Sequence, residues 1–321
     1  MSSVPPMKRI LVVEYSQTGQ LSAVLDALLA PLQEPGAGCL VHREKLRPIP
    51  PYPFPWPFWQ FLDAFPETVA GVPPPLAPLA VDPGAAFDLV VVGYPVWFLS
   101  PPPPVTAFLH GDAGRALVRG RPVVTVTACR NMWLMAQEEM KRLLREAGAH
   151  HCDHVAVVDQ GNAFATFITT PRWLLSGRRN AFWGLPPAGV AAGEIRACRR
   201  FGLALAEALR GDEEKRGAPL LRGLGASPVD PRLIASETIG RRSFRVWARI
   251  LRRAGPPGAP LRRVFLAFYL VFLLCVIITV VPLSILLKAA LRPLLRRKLD
   301  TLQAAFEQPS GADRSRLARF Q

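Results

Sequence analysis

The sequence predicts an α/β protein with a parallel β-sheet that helices cover on both faces. Short apolar segments typical of strands alternate with segments whose apolar residues recur at helical spacing. Strands separated by helices form βαβ units, and such units build a parallel sheet. Half of the 321 residues are hydrophobic, which excludes a chain that is disordered throughout.

The first 215 residues carry the predicted strands and helices. The strands are residues 9–14, 39–45, 87–93, 122–128 and 154–159. The helices are residues 20–32, 133–147 and 191–210. Two proline-rich stretches, 48–57 and 72–83, can be neither regular helix nor central strand, because proline lacks a backbone N–H donor.

The cysteine and histidine patterns predict neither a disulfide framework nor a metal site. The five cysteines are scattered without CxxC spacing, which favours a reducing cytoplasm. Residues 150–154 read HHCDH, but adjacent residues rarely converge on one ion and no second ligand cluster is present. We expect no metal there, and we expect these residues to form the turn into the fifth strand.

The positive charge of the chain is concentrated in its last third. The whole chain has 39 Lys and Arg against 24 Asp and Glu, a net charge of +15. Residues 1–215 contain 20 Lys and Arg against 19 Asp and Glu, and residues 216–321 contain 19 Lys and Arg against 5 Asp and Glu. A basic third of this kind suits either nucleic acid or anionic lipid as a partner.

An uncharged run of 24 residues, 264–287, favours lipid. As a helix it would be about 36 Å long, enough for a hydrocarbon core of about 30 Å. The alternative is a buried core helix, although soluble helices rarely stay apolar on every face over this length. We expect anionic membrane lipid as a partner, no nucleic acid, and a location at the cytoplasmic face of the inner membrane. Both flanks of this run are basic, so the sequence leaves two alternatives, a single membrane span and a re-entrant helix pair.

Residues 239–253, before this run, have the pattern of a helix at a membrane surface. The arginines fall on one face, and Ile, Val, Trp, Phe and Leu residues fill the other. The alternative is a helix packed on the first domain, with its arginines in water. The sequence GPPG at 255–258 should break the chain before the apolar run. The chain then divides into a domain at 1–215, a basic linker at 216–263, a membrane segment at 264–287 and a basic tail at 288–321.

The residues that join the first strand to the first helix have the character of a phosphate site. They are Ser16, Gln17, Thr18, Gly19 and Gln20. A helix N-terminus presents free N–H groups and the positive end of the helix dipole, which favour a phosphate. The spacing is not that of an NTP-binding loop and no GxGxxG is present, which disfavours a nucleoside triphosphate and a dinucleotide. An ordinary capped turn is the alternative.

This loop resembles the FMN phosphate loop of flavodoxins and of flavodoxin-like NAD(P)H:quinone and FMN reductases. Ser16, Thr18 and Gly19 match that pattern, and Gln20 departs from it. Five strands with such an early loop suit the flavodoxin-like order 2-1-3-4-5. The resemblance continues in the loops after the third and fourth strands, which would line the flavin ring. Their residues are Pro95, Val96, Trp97, Phe98, Cys129, Arg130, Asn131, Met132 and Trp133.

The chemistry of these residues agrees with a flavin. Trp97 and Trp133 offer flat apolar cover, and Asn131 offers polar contact. Arg130 would stabilise the negative charge of a reduced flavin. Asp159 ends the fifth strand and is a candidate proton acceptor, with strand-end capping as the alternative. The candidate catalytic residues are therefore Arg130, Asn131 and Asp159.

A closer similarity is to the flavodoxin-like enzymes of dialkylresorcinol biosynthesis, the condensing enzyme or aromatase family. It rests on the stretches PFPW, GYPVWFLSPPPPVTAFL, CRNMWLMAQ, VDQGN and TTPRW and on the apolar segment near the end of the chain. The resemblance implies an FMN-dependent oxidoreductase that aromatises an alkylated cyclohexanedione. The open alternatives are an NAD(P)H-dependent quinone or FMN reductase and a membrane-anchored scaffold without activity. The sequence leaves the oligomeric state undecided, with a homodimer as one alternative.

A substrate with alkyl chains would partition into lipid, so the site should open toward the membrane. The aromatic residues of 53–65 are predicted to form that mouth, with Trp56, Phe58, Trp59 and Phe61 guiding the chains. The alternative is that these side chains cover the sheet edge.

Overall fold

The sheet has five parallel strands in the predicted order. A computed structural model describes residues 7–280, residue 283 and residues 296–320. The strands are β1 (Lys8–Glu14), β2 (Cys39–Lys45), β3 (Leu89–Tyr94), β4 (Pro122–Cys129) and β5 (His150–Val158). Their order across the sheet is β2-β1-β3-β4-β5, which is the flavodoxin-like order.

Helices connect the strands and continue after β5. In the described residues they are α1 (Gln20–Leu29), α2 (Phe58–Asp63), α3 (Phe65–Ala70), α4 (Pro103–His110), α5 (Asp112–Val118), α6 (Leu134–Glu146), α7 (Ala163–Ser176), α8 (Ala192–Ala197), α9 (Arg199–Arg210), α10 (Pro231–Arg253) and α11 (Pro260–Cys275). Residues 296–307 are also helical.

Both faces of the sheet carry an apolar core. β3 lies at the centre, and all six of its residues are buried. On one face Val91 belongs to the same core as Leu205 of α9, and on the other Val92 belongs to the same core as Met140 of α6. Burial on both faces explains why β3 is a continuous apolar run rather than an alternating one.

The fifth strand begins four residues before its predicted start, so the turn predicted at 150–154 is wrong. His150 pairs with Pro122 of β4, and the pairing continues to Val158. The rings of His151 and His154 contact the Thr125 hydroxyl, with N to Oγ1 distances of 2.9 and 2.8 Å. Burial lowers the pKa of His151 to about 4, so its ring is neutral near pH 7 and fits inside the protein.

Two predicted helices are divided, and the proline-rich stretches contain no helix, as predicted. Residues 20–32 form α1 and then the 3₁₀ turn Ala30–Leu32, where Pro31 has no N–H to continue the α-helical pattern. Residues 191–210 form α8 and α9, which are separated at Cys198. The stretches 48–57 and 72–83 lie together: the Ile49 amide donates to the Pro75 carbonyl at 2.8 Å.

Residues 220–229 and 308–320, which the sequence assigns to the linker and the tail, run along the free edge of β5. The Ala156 amide donates to the Ala226 carbonyl at 2.8 Å, and Phe320 is buried in the main core. The buried carboxylate of Asp153 accepts hydrogen bonds from the Leu220 amide at 2.6 Å and the Ser310 hydroxyl at 2.7 Å. Because an uncovered edge strand invites pairing with another chain, this cover also protects the sheet.

α10 packs on the sheet domain, which was the alternative to a helix lying only on a membrane surface. Its buried residues are Ile234, Glu237, Arg241, Ala248 and Leu251, and two of these have ionisable side chains. Arg241 lies on the predicted arginine face, but its guanidinium donates to the Ser100 hydroxyl and lies 3.6 Å from the Glu139 carboxylate. The prediction that this face meets only water or lipid is therefore wrong at Arg241. Ile239 and Val246, on another side of α10, are exposed.

α11 starts after the break predicted at 255–258 and carries the apolar run. Residues 260–279 form a helix that is long and apolar enough to cross a membrane, and most of its side chains are exposed. No other helix in the described part of the chain meets that test of length and composition. The rest of the predicted segment, except residue 283, and the start of the basic tail lie outside the described residues.

A buried arginine fastens α11 to the segment between β2 and β3. The Arg262 guanidinium, 1% exposed, donates to Asp63 Oδ1 at 2.5 Å, to the Asp63 carbonyl at 2.7 Å and to Glu67 Oε1 at 2.8 Å. Between these two acidic residues, Phe65 stacks on Tyr269 of α11 with ring centroids 4.6 Å apart. The paired carboxylates offset the desolvation of the buried cation.

Replacing Arg262 by alanine should separate α11 from α2 and α3. Two carboxylates would lose their cation, and we expect the free energy of unfolding to fall by about 3 kcal/mol. This value is at the low end for a broken buried ion pair, because both acids keep some contact with water. Thermal unfolding in detergent measures this change. The matched control is Arg263→Ala, since Arg263 is exposed. Equal midpoints for the two variants would contradict a structural role for Arg262.

Candidate functional site

The three predicted binding loops lie side by side at the carboxyl ends of adjacent strands. β1 pairs with β3, and β3 pairs with β4, so the loops that follow them share one edge of the sheet. The Tyr15 amide donates to the Gly93 carbonyl at 3.3 Å and joins the first loop to β3. Ligands of open α/β sheets bind at this edge.

The loop at residues 16–19 forms an open cradle of backbone amides. The N–H groups of Ser16, Gln17, Thr18 and Gly19 have no acceptor among the described residues. Two amides at the start of α1 donate hydrogen bonds to side chains of this loop. Ser16 Oγ accepts from the Ser22 amide and Thr18 Oγ1 accepts from the Gln20 amide, each at 3.4 Å. Gly19 has φ +81°, a conformation that disfavours other residues. The arrangement suits an anion at the N-terminus of α1.

The two glutamines of this loop bind protein groups. Gln17 donates to the Pro53 carbonyl at 2.6 Å and accepts from the Tyr15 hydroxyl. Gln20 is buried, and its side-chain oxygen accepts from the Val190 amide at 2.7 Å. These side chains therefore hold neighbouring segments against the loop.

The loop after β3 is a tight turn with a fixed shape. Trp97 and Ser100 exchange two backbone hydrogen bonds of 2.9 and 2.8 Å, and Phe98 and Leu99 between them have φ of +49° and +59°. Two consecutive non-glycine residues in this region are strained, so surrounding contacts must hold them. Arg241 supplies one such contact through the Ser100 hydroxyl.

Trp97 stands in an aromatic cluster beside the anion cradle. Its ring centroid lies 5.8 Å from Tyr15, 5.1 Å from Tyr52 and 5.4 Å from Trp56, each in an edge-to-face arrangement. Pro95, Val96, Trp97 and Phe98 are all partly exposed. Tyr52 was not among the predicted site residues, because its contact with Trp97 joins segments about 45 residues apart.

The loop after β4 combines a cation with neutral groups. Arg130 Nε donates to the Thr166 hydroxyl at 3.0 Å, and its guanidinium lies 5.5 Å from the centre of the Phe167 ring. Burial lowers the pKa of Arg130, although an arginine stays protonated in proteins. Asn131 caps the loop by accepting from the Met132 amide at 2.8 Å.

Cys129 and Trp133 lie at the two ends of this loop and support it. Burial raises the pKa of the Cys129 thiol, which disfavours a thiolate nucleophile. Trp133 is buried, and its ring centre lies 5.0 Å from that of His154. The structure thus places the Trp133 ring in the packing below the loop.

Asp159 is placed as a cap at the end of β5. One carboxylate oxygen accepts from the Gly161 amide at 2.8 Å and the other from the Gly189 amide at 2.7 Å. An added Cβ at Gly189 would lie 2.1 Å from the side-chain oxygen of Gln20, so only glycine fits between the two loops. Asp159 and Gln20 together hold residues 189 and 190 beside the anion cradle.

The β5–α8 segment, which we define as residues 159–191, contacts the loops after β1 and β4 and also Trp56. The sequence did not predict these contacts. On α7, Thr166 meets Arg130, and the Leu174 carbonyl accepts from the Trp56 amide at 2.8 Å. Thr169 is buried on the same face of α7, and its hydroxyl has no partner among the described residues. Phe164, Phe167 and Ile168 at helical spacing were the available signal, but Pro171 inside α7 obscured it.

The aromatic segment predicted as a mouth is closed at one of its four predicted side chains, Trp56. Trp56 is buried at 4% exposure, and Phe61 packs between Trp56 and Phe98 with centroids 5.9 and 5.2 Å away. A buried Trp56 does not line an open mouth as predicted, whereas Phe61 is partly exposed, and a guiding role for Phe61 stays a prediction. Phe58 and Trp59 are exposed.

α10 places a buried acid behind the loop after β4. Glu237 is fully buried and accepts from the Met135 amide at 3.1 Å at the start of α6, while its other carboxylate oxygen has no partner among the described residues. Burial raises the pKa of Glu237 to about 8, so the side chain is largely protonated at pH 7. Sequence patterns could not reveal this residue, which lies about 100 positions from its partner.

The comparisons with known proteins find similar folds at low identity. No family model matches the chain, and no curated protein matches it. A flavoprotein in complex with FMN from Lactobacillus acidophilus is 15% identical, covering 47% of this chain and 92% of that chain with a TM-score of 0.37. A flavodoxin from the domain Archaea is 12% identical, covering 63% and 99% with a TM-score of 0.35. The oxidised flavodoxin 1 of Bacillus cereus is 13% identical, covering 61% and 95% with a TM-score of 0.32.

Glu237 should make the stability of the protein depend on pH. The folded state keeps a proton that the unfolded chain releases near pH 4.5, so the free energy of unfolding should fall as pH rises from 4.5 to 8. The slope from this group is at most about 1.4 kcal/mol per pH unit. Glu237→Gln, a neutral residue of the same shape, should remove that slope and be the more stable protein above pH 8.

Chemical denaturation of both proteins between pH 4.5 and 9 measures this effect. Glu138→Gln is the control, since Glu138 lies on the exposed side of α6. A constant difference in stability between Glu237→Gln and the unmodified protein across the range would show that Glu237 titrates normally.

Proposed function

We propose that the chain is an FMN-dependent oxidoreductase whose cofactor site is the edge formed by the loops after β1, β3 and β4. The observation that carries the proposal is the open amide cradle at residues 16–19, which lies beside two loops of flavin-binding character on adjacent strands. These loops combine a planar aromatic ring, a cation and amide groups, which are the groups a flavin needs.

The residues present fit FMN. The amides of residues 16–19 and the hydroxyls of Ser16 and Thr18 would hold the phosphate, and Trp97 would lie against the ring. Arg130 would face the pyrimidine edge and favour the reduced, negatively charged form. The unpartnered hydroxyl of Thr169 is available as a further donor on the inner face of α7.

The substrate we propose is a cyclohexanedione with alkyl chains, which would be converted to a dialkylresorcinol. A bound flavin would accept a hydride from one ring carbon, and loss of a proton from its neighbour would give an enone that tautomerises to the aromatic product. The family resemblance of the sequence supports this choice of substrate. Both carboxylate oxygens of Asp159 are engaged by backbone amides, which supports the capping role, and we assign the proton acceptor to no residue.

We further propose that the protein is attached to the cytoplasmic face of the inner membrane. The exposed apolar side chains of α11 and the exposed arginines of α10, such as Arg242 and Arg249, support attachment to anionic lipid. An apolar substrate would be concentrated in the same layer, because each CH₂ group favours lipid by about 0.8 kcal/mol.

The decisive experiment is an absorbance spectrum of the detergent-purified protein, followed by anaerobic mixing. A flavin spectrum that bleaches with the alkylated dione supports the proposed reaction. Bleaching only with NADPH would favour a quinone or FMN reductase, and a colourless protein that binds no added FMN would favour a scaffold.

Thr18→Val should weaken FMN binding. A hydrogen bond to a charged group is worth about 1.5–3 kcal/mol, so the dissociation constant should rise about tenfold or more. Titration of the apoprotein with FMN, followed by flavin fluorescence, measures it. The control is Thr301→Val, which removes a hydroxyl that bonds only to the Arg297 carbonyl within its own helix. If both variants bind FMN equally, the cradle is not the phosphate site.

A further inference from the structure

The outer face of α7 is apolar and exposed. Phe164, Phe167 and Ile168 are 71%, 39% and 37% exposed, and Pro171 continues the same face at helical spacing. The inner face is buried on the site edge, so the apolar outer residues are not required for that packing. A row of large apolar side chains on one helix face marks an interaction surface.

The same segment presents a tryptophan at the tip of a rigid turn. Phe182 and Leu185 exchange backbone hydrogen bonds of 3.3 and 2.8 Å, and Trp183 between them has φ +47° and is 94% exposed. Arg172 holds this turn, because its guanidinium lies 4.2 Å from the centre of the Phe182 ring and donates to the Asn180 carbonyl at 2.9 Å. The turn therefore leaves Trp183 almost fully exposed, with its ring centre 5.7 Å from that of the neighbouring Phe182.

The charges around these residues select the partner. The β5–α8 segment contains Arg172, Arg178 and Arg179, and its one acidic residue, Asp159, is buried in backbone hydrogen bonds. A second copy meeting this face about a two-fold axis would bring the arginines of both copies together without acids between them. An anionic lipid surface matches both features, since tryptophan prefers the interface and arginine the headgroups.

The α7 surface is connected to the other apolar surfaces of the chain. α7 joins the aromatic segment through the hydrogen bond from the Trp56 amide to Leu174, and α2 exposes Phe58 and Trp59 directly after that point. α3 follows α2 and is stacked on α11 through Phe65 and Tyr269. The exposed residues of α7, α2 and α11 thus border one continuous set of packed elements.

We propose that the outer face of α7 and the Trp183 turn form a second membrane contact, which seats the site edge against an anionic bilayer surface. This inference rests on the proposed membrane attachment but not on the proposed flavin chemistry. α11 supplies the attachment, and the α7 contact fixes how the domain lies on the surface.

The test uses the full chain reconstituted in phosphatidylglycerol vesicles whose acyl chains are brominated near the headgroup. Bromine quenches only tryptophans that enter the lipid. Comparison of the unmodified protein with Trp183→Phe isolates the contribution of Trp183, and we expect the substitution to reduce the quenched emission about twofold. Trp133→Phe is the control, because it removes a tryptophan of the protein core and should leave the quenched emission unchanged.

Two further comparisons define the result. Phe164→Ser should reduce the quenching of Trp183, while the protein stays attached to the vesicles through α11. The control is Leu40→Ser, at an exposed position on β2, which should leave the quenching of Trp183 unchanged. Brominated phosphatidylcholine should quench Trp183 less than brominated phosphatidylglycerol. The proposal is overturned if Trp183→Phe and the unmodified protein are quenched equally. If the other tryptophans are still quenched when Trp183 is not, only the α7 contact is contradicted and the attachment through α11 stands. Release of the protein from the vesicles would contradict both the attachment and the α7 contact.

Discussion

Three ionisable side chains that the carboxy-terminal third buries against the sheet domain support the site edge: the largely protonated Glu237 and two arginines. Glu237 binds the start of α6 behind the loop after β4, and Arg241 binds Ser100 in the turn after β3. Arg262 binds Asp63 and Glu67 beside the aromatic segment. The two arginine charges and the polar carboxyl group of Glu237 are costly to desolvate and are tolerated only with polar partners, so each contact is specific as well as stabilising. The carboxy-terminal helices are thus part of the site's framework.

The strands and the position of the first loop were predictable because their signals are local. A buried parallel strand such as β3 is a continuous apolar run, and the loop at residues 16–19 follows β1 directly and ends at Gly19. The strand order followed from the succession of βαβ units and from the early position of this loop. These features need no information beyond a few neighbouring residues, and they place three loops at one edge of the sheet.

The partners of individual side chains were not predictable because they are distant in sequence. Arg241 lies on an arginine-rich helix face, and only the fold brings Ser100 and Glu139 to it. Trp56 belongs to a segment whose composition suggests an exposed apolar surface, yet Tyr52 and Trp97 enclose it. Helix α7 was missed for a different reason: Pro171 interrupts the helical pattern in the sequence, whereas the chain tolerates proline there on an exposed face.

The packed rings beside the site bear on how the proposed substrate with alkyl chains would reach it. From Trp97 to Tyr269 the rings of Trp56, Phe61, Phe98 and Phe65 follow one another at centroid distances of 4.6 to 5.9 Å, which is close packing. This column of rings connects the site to α11. For the proposed substrate, we expect entry on another side of the site. Phe167, partly exposed and packed on the Arg130 guanidinium, lies where the apolar face of α7 meets the loop after β4. If that face rests on the bilayer as proposed, α7 would form the path by which an alkyl chain passes from the lipid to Arg130 without crossing water.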